Sequence, residues 1–564
     1  MSAAETTLPN RSAMRRAATL LLVSSLAACG CRRAPDRSLT IIGTGDLHGH
    51  LEGDGGQGGV ALLGGYLRIL RRTHNVVLVD AGDLFQGTLE SNLTEGAPVV
   101  RAMNALGYDA AALGNHEFDY GPVGMAPVAR APGEDPRGAL KARAREARFP
   151  FLAANVIDQE TGRAIDWDHF RTAVQISVGG VAVGLTGGPT RNTPTTTNAL
   201  NLRGLRFDRL DGPIREQALE LRRQGAQVVV AVVHAGSRCR SYQKPDDLSS
   251  CETDTELFEL ARALPAGLVD VIVGGHTHAA VAHRWGSCAI IEAWSKGKGF
   301  GRVDLVIDGR TQRVKSSTIW PPHAMAAGEI YEGSRVEPDP SVAATFAEDR
   351  ARVAALRARS LGVLVSERLW PSYEVESPLG NLIADLERAA VPGADFAIYN
   401  GGGLRAELPA GPLTYGALYE VLPFDNLLAV MTLRGATLRA LLASNYGGGG
   451  HGFLSISGLK ARCHCEGGQV RLELTGTDGA RLDDARSYRL VTSDFLANGG
   501  DGFQRALADP ATKVEILWQR PPLHDLVAES LEHRGGTLRP SDYLDRAHPR
   551  AQLPGPRPIC RKTE

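Results

Sequence analysis

Five short stretches place Asp, Asn or His directly behind apolar runs. Asp46 and His48 follow LTIIGTG, Asp80 and Asp83 follow NVVLV, and Asn115 and His116 follow YDAAALG. His234 ends QVVVAVVH, and His276 and His278 follow VDVIVGG. Imidazole and carboxylate are the usual protein ligands of divalent transition ions, and an Asn carbonyl adds a neutral oxygen. Asp46, His48, Asp83, Asn115, His234, His276 and His278 are too many ligands for one tetrahedral ion. They suffice for two divalent ions if Asp83 is shared. The i, i+2 spacing of Asp46/His48 and of His276/His278 predicts side chains on the same side of an extended segment. Glycines beside them let the backbone turn sharply and approach the ions closely. In the third stretch, LGNHEFDYG (113–121), Glu117 reads as structural because an i+1 residue faces away from its neighbour. Asp80 and His50 read as supporting or solvated groups.

Buried-type strands must deliver these residues. In α/β sheets, ligands sit outside the carboxyl ends of strands, so all five ends converge on one cleft. The chain has 564 residues, 43% hydrophobic and 22% charged, which requires more than one core. A formal net charge of −1 removes a bulk electrostatic reason to bind a nucleic acid polymer or an anionic membrane surface. The expected divisions are a leader and tether (1–37), a layered α/β unit (38–325), a linker (326–360) and a second α/β unit (361–564). PDPSVAATFAEDRARVAALRARS (338–360) predicts a capped, solvent-exposed helix. The polar segment 131–148 reads as a surface excursion.

The leader carries Arg11, Arg15 and Arg16, then AATLLLVSSLAA, then Cys29. The apolar run is too short to span a bilayer, and Leu26-Ala27-Ala28-Cys29 resembles a bacterial lipobox. The expectation is an exported chain of a bacterial cell envelope, periplasmic or held at the outer membrane through a lipid on Cys29. Of eight cysteines, Cys239 and Cys251 flank a polar loop and are expected to pair. Cys463-His464-Cys465 lacks a second matching pair and makes a weak metal site. One of its two cysteines is available to bond Cys560.

The ordered set DLH (46–48), GDLFQG (82–87), GNHEFD (114–119), VVH (232–234) and GHTH (275–278) resembles the calcineurin-like metallophosphoesterase superfamily. Within it, nearly all of the mature chain resembles the exported 5′-nucleotidase family. The resemblance implies a layered β-sandwich flanked by helices, then a linker helix and a second α/β domain that binds substrate. It implies that Asp46, His48, Asp83 and His278 hold one metal and that Asp83, Asn115, His234 and His276 hold the other. Some bacterial relatives have Gln where His278 stands. His116 and Asp119 would form the catalytic dyad. Two such ions make a hydroxide available near neutral pH for attack on phosphorus. His116, held by Asp119, would meet the developing charge or protonate the leaving group.

NGGGLR (400–405), LPFDN (422–426) and DFLANGGDGF (494–503) resemble the family's C-terminal domain. By that likeness Phe424 and Phe495 stack on the base, Asp501 binds the sugar, and Asn400 and Arg405 help hold phosphate. Stacking accepts any base, so broad nucleotide specificity is expected. One departure concerns phosphate. Relatives often carry an arginine where Val375 stands, which bears on di- and triphosphates. The expected activity is removal of 5′-phosphate from nucleotides, with cleavage of nucleotide diphosphates or UDP-sugars as an extension. The alternatives are a 2′,3′-cyclic nucleotide phosphodiesterase/3′-nucleotidase, a thiosulfohydrolase-like enzyme and a non-catalytic surface binding protein. No obligate protein partner is expected.

Overall fold

The computed structural model describes residues 35–124, 126–450 and 452–560; the leader, with Cys29, lies outside them. The site-bearing strands are β1 (Arg37–Thr44), β2 (Val76–Asp80), β3 (Ala110–Ala112), β4 (Val228–His234) and β5 (Val271–Val273). β4 is buried along its whole length. Val228, Val230 and Val232 face one apolar cluster, while Val229, Ala231 and Val233 face another. A strand covered on both sides needs apolar residues at every position, so it reads as an unbroken run rather than an alternation. Each fully buried Val contributes roughly 1.5–3 kcal/mol.

β1, β2 and β3 run parallel in an eight-stranded sheet, extended beyond β1 by antiparallel Gly299–Ile307 and Val314–Ile319. β4 and β5 run parallel in a six-stranded sheet. An apolar layer containing Ile41, Val79, Val230 and Val273 joins the two sheets face to face. Helices Val60–Leu70 and Ala97–Leu106 cover one outer face, and Asp211–Arg223 and Glu256–Ala263 cover the other. This is the expected sandwich with helical flanks. The second half of the chain builds a five-stranded sheet around Phe396–Asn400, Ser487–Ser493 and Leu428–Arg434, with its own apolar clusters.

Two expectations change. The segment 338–360 forms two helices, Pro340–Ala344 and Ala347–Ala358, rather than one. Asp339 caps the first, accepting the Ser341 N–H at 2.9 Å. The segment is not simply solvent-exposed. Val342 and Phe346 belong to the apolar cluster of the first half, and Val353 to that of the second, so the linker is packed into both. Likewise, the stretch 131–148 is not wholly an excursion. Helix Gly138–Glu146 buries Ala139, Leu140 and Ala144 and packs on Ala97–Leu106. Apolar residues at i, i+1 and i+5 make that narrow stripe among charged neighbours.

Disulfides join Cys239 to Cys251 and Cys465 to Cys560. The second engages one sulfur of the Cys463-His464-Cys465 tract and removes its metal reading.

Helix Pro378–Ala390 buries Glu387 completely, with neither carboxylate oxygen hydrogen-bonded among the described residues. Burial pushes this carboxyl well above its ordinary value of 4.5. The folded chain therefore holds a proton that the unfolded chain releases once pH passes that value. Stability drains away as pH rises, by at most about 1.4 kcal/mol per pH unit. Glu387→Gln removes this loss. Its melting temperature, relative to wild type, should increase as pH rises above the ordinary carboxyl value of 4.5. A constant difference in a thermal-shift series would show that the Glu387 carboxyl is not held neutral.

Candidate active site

The stretches behind the strands meet at two adjoining clusters, and the His276–His278 stretch contributes to both. Asp46, His48 and His278 bring ligand atoms within 4.8 Å of one another, and so do Asp83, His234 and His276. Asp83 Oδ2 lies 3.0 Å from His234 Nε2 and 3.7 Å from His48 Nε2, so one carboxylate oxygen faces both clusters. Asn115 points its Oδ1 at His234 Nε2, 3.0 Å away, because its amide nitrogen donates to the Thr196 carbonyl.

The donor chemistry fits divalent cations. His48 Nδ1 is 2.9 Å from the Gln86 carbonyl, and His234 Nδ1 is 2.9 Å from the Ala81 carbonyl. A carbonyl only accepts, so each Nδ1 carries a proton and each Nε2 turns a lone pair inward. His48 Nε2 then faces His278 Nε2 at 2.9 Å, with Asp46 Oδ1 3.5 Å from the latter. Asp46, His48, Asp83 and His234 are at most 2% exposed. Converging lone pairs and carboxylates in so dry a site repel unless a cation lies among them.

The turns that present these ligands are not extended. Asp46, His48, Asp83, His276 and His278 have φ of 54°, 50°, 59°, 80° and 54°. The i, i+2 pairs thus reach the clusters through left-handed turns rather than strand alternation, Asp46 and His48 in the same cluster and His276 and His278 in different ones. Such a conformation costs a non-glycine residue about 1–2 kcal/mol and persists only where surroundings impose it. Glu117 supplies much of that constraint. Its buried carboxylate accepts backbone N–H groups of Asp83, Leu84 and Gly114 at 2.9, 2.6 and 2.6 Å, tying the second stretch to the third. This agrees with its structural reading. Asp80 ties β1 to β2, accepting the Thr44 hydroxyl at 2.6 Å and the Gly82 N–H at 2.8 Å.

His116 Nδ1 and Asp119 Oδ2 are 2.6 Å apart, and the His116 backbone N–H donates to Asp83 Oδ1 at 2.9 Å. Burial opposes protonation of His116, but the Asp119 and Asp83 carboxylates outweigh it and hold the imidazole above its ordinary value. A histidine whose Nδ1 is held by Asp119 is suited to proton transfer at Nε2.

The second half of the chain closes over this centre. Arg405 Nη2 lies 3.3 Å from His48 Nε2. The Phe424 ring is 5.4 Å from the His116 ring. Gln86 and Asn92 fix that ring by donating to the Pro423 carbonyl at 2.9 and 2.7 Å. Asn400 donates to Asp501 Oδ2 at 2.6 Å, so its amide nitrogen is engaged with the predicted sugar-binding carboxylate. Phe495 lines the same cleft, and a Cβ on Gly500 would sit 2.5 Å from its ring, which requires glycine there. The cleft, about 490 Å³, is lined from both halves by Asp83, Asn115, His116, Asp119, His276, His278, Asn400, Arg405, Phe424, Phe495 and Asp501; Asp46, His48 and His234 lie beneath. Tyr373 reaches it, and Val375 does not.

Sequence reasoning misses three contributors. Glu292 accepts the Ser237 N–H at 2.9 Å and the Thr277 hydroxyl at 2.5 Å, clamping the loop after His234 to the His276–His278 turn. Its signal is the one used elsewhere, a carboxylate ending an apolar run, CAIIE. Thr197 and Arg238 also line the cleft, and neither stands out from its neighbours in the sequence.

Residues 39–280 match the calcineurin-like phosphoesterase family, and residues 358–509 match the 5′-nucleotidase C-terminal domain. Together these two matches make the chain a metal-dependent phosphomonoester hydrolase. With both family matches in this order, the chain belongs to the 5′-nucleotidase family of metallophosphoesterases. It is 28% identical to endonuclease YhcR of Bacillus subtilis across 81% of this chain, which spans 37% of that longer protein. It is also 28% identical to a Vibrio cholerae 5′-nucleotidase, across 87% of this chain and 91% of the relative. The crystal structure of a 5′-nucleotidase precursor from Thermus thermophilus superposes with a TM-score of 0.73 at 28% identity, covering 92% of this chain and 99% of that one.

Proposed function

We propose that this enzyme removes the 5′-phosphate of nucleotides in the bacterial cell envelope, using two divalent ions that share Asp83. The observation that carries this reading is a single cleft holding both ligand clusters and the dyad together with Phe424, Phe495 and Asp501. A phosphate at the clusters and a nucleoside at the aromatic pair would bridge the two halves of the chain. Bound ions supply hydroxide near neutral pH and offset charge on the phosphoryl oxygens. Asp46, His48 and His278 would hold one ion; Asn115, His234 and His276 would hold the other. Arg405 adds a cation on the phosphate side, and His116 protonates the departing ribose oxygen while Asp119 keeps its ring oriented.

Arg238 supports longer phosphate chains. Its guanidinium lines the cleft and makes no hydrogen bond or ion pair among the described residues, leaving a cation for charge beyond a monophosphate. Nucleoside diphosphates and nucleotide diphosphate sugars are therefore substrates under this reading. The leader supports export, and a lipid on Cys29 would anchor the chain; no helix among the described residues is long and apolar enough to cross a membrane.

The test is hydrolysis of AMP, ADP, UDP-glucose and 2′,3′-cyclic AMP, read as phosphate from AMP and ADP, UMP and glucose 1-phosphate from UDP-glucose, and the ring-opened monoester from the cyclic nucleotide, with zinc, manganese or cobalt and with chelator. Metal-dependent release from AMP and ADP is expected. Faster turnover of the cyclic nucleotide than of AMP would replace the reading by a cyclic phosphodiesterase. Absence of release from every nucleotide would end it.

A further inference from the structure

The Asp119 carboxylate has two engaged oxygens. Oδ2 takes His116 Nδ1 at 2.6 Å, and Oδ1 accepts the hydroxyl of Thr197 at 2.5 Å. A carboxylate held at one oxygen swings about its Cβ–Cγ bond, whereas one held at both has its plane set. Thr197 is 2% exposed, so water does not compete freely for that bond. Its neighbours bind the same centre. The Thr196 carbonyl accepts the Asn115 amide at 3.2 Å, which turns Asn115 Oδ1 toward His234. Asn198 Nδ2 lies 3.5 Å from Asp494 Oδ2, across the boundary between the two halves.

Asp494 is itself placed to matter. It is fully buried, and its Oδ1 accepts the N–H groups of Leu427 and Phe495 at 3.0 and 2.9 Å. It thereby joins the segment carrying Phe424 to the segment carrying Phe495. The short helix Thr193–Thr196 also packs against Gly500–Gly502, next to Asp501. Three consecutive residues thus touch a metal-site ligand, the dyad carboxylate and the carboxylate that organises the aromatic pair.

We propose that Thr197 is a positioning residue for the dyad, acting through Asp119, and that residues 196–198 form a strap aligning His116 with the nucleoside-binding half of the cleft. This rests on the proposed nucleotide hydrolysis and on the assignment of His116 and Asp119 to it. Losing the Thr197 hydroxyl frees the Asp119 carboxylate to rotate and His116 to leave its line with the departing oxygen. Misplacement of that kind costs up to about 100-fold in rate. Substrate affinity and ion content, which depend on other groups, should change little.

The experiment compares Thr197→Val and Thr197→Ser with wild type on AMP and on glycerol 2-phosphate. It also measures bound metal and melting temperature. Thr197→Val should lower kcat by about 10- to 100-fold on AMP with KM nearly constant. Thr197→Ser, which keeps the hydroxyl, should recover most of it. In an Asp119→Asn background, Thr197→Val should cost little more, because its route of action is already gone. Equal losses in Val and Ser, or a full additional loss in the Asp119→Asn background, would overturn the proposal. If Thr197→Val does not fold, Thr197→Ala takes its place in the same cycle. A wild type that cleaves glycerol 2-phosphate but no nucleotide would sink the nucleotide reading. The cycle on that alkyl ester, whose departing oxygen needs the same proton, would still decide the role of Thr197.

Discussion

Replacing His116 by alanine should lower kcat on AMP by about 10²- to 10⁴-fold while bound metal stays at the wild-type level. The first half of that expectation follows from where the ring sits. His116 is 8% exposed, beside Asp83, with its Nδ1 committed to Asp119. Only Nε2 remains to meet substrate. The Asp119 carboxylate at Nδ1 favours the protonated ring against the cost of burial. An imidazolium facing the cleft serves a leaving alkoxide, which needs a proton as the bond to phosphorus breaks. The second half follows from the backbone. It is the N–H of residue 116, not its side chain, that contacts Asp83 Oδ1, and alanine retains it. A fall in kcat accompanied by lost metal would move His116 into the ligand set. An unchanged kcat would remove it from the mechanism. p-Nitrophenyl phosphate adds a control: its leaving group departs without a proton, so the loss on that ester should be much smaller than on AMP.

The clustered Asp, Asn and His residues are legible in the sequence because two constraints act together. Strands buried on both faces must be apolar throughout, so β2 and β4 stand out as unbroken runs. A site at their carboxyl ends must be built from the first residues that follow. Asp46, Asp83, Asn115, His234 and His276 are found by that rule alone. The way they are presented is not legible. Five left-handed turns at non-glycine residues have no periodic signature, and the extended-segment argument for Asp46/His48 reaches the right pairs by the wrong geometry. Thr197 is hidden for another reason. It is one of three consecutive threonines, and only the tertiary contact with Asp119 distinguishes it from Thr195 and Thr196. The linker shows a similar limit. Its charged composition suggests an exposed helix, but Val342, Phe346 and Val353 are enough to pack it into both halves. The contacts of Gln86 and Asn92 with Pro423 likewise depend on how the halves meet, and neither segment announces its partner.

Asp83→Ala should be the most damaging single substitution in the chain, emptying both ion positions at once. Its Oδ2 faces His234 and His48 together, and its Oδ1 accepts the His116 N–H. Charge makes the same point. Two divalent ions would bring four positive charges to a site whose anionic ligands are Asp46 and Asp83, with Arg405 adding a fifth nearby. Removing one of two carboxylates leaves that charge poorly balanced in a buried setting. Changes to groups that merely orient ligands cost about 10- to 100-fold in metal affinity, so loss of a shared ligand should exceed that. Elemental analysis of purified protein reads the result directly, without reference to activity. His278→Ala is the comparison, since His278 belongs to one cluster only and should release one ion. The ordering expected is two ions per chain for wild type, one for His278→Ala and none for Asp83→Ala. Retention of one ion by Asp83→Ala would mean that the clusters bind independently. Asp83 would then belong with His234 alone, and the shared-ligand arrangement would have to be given up.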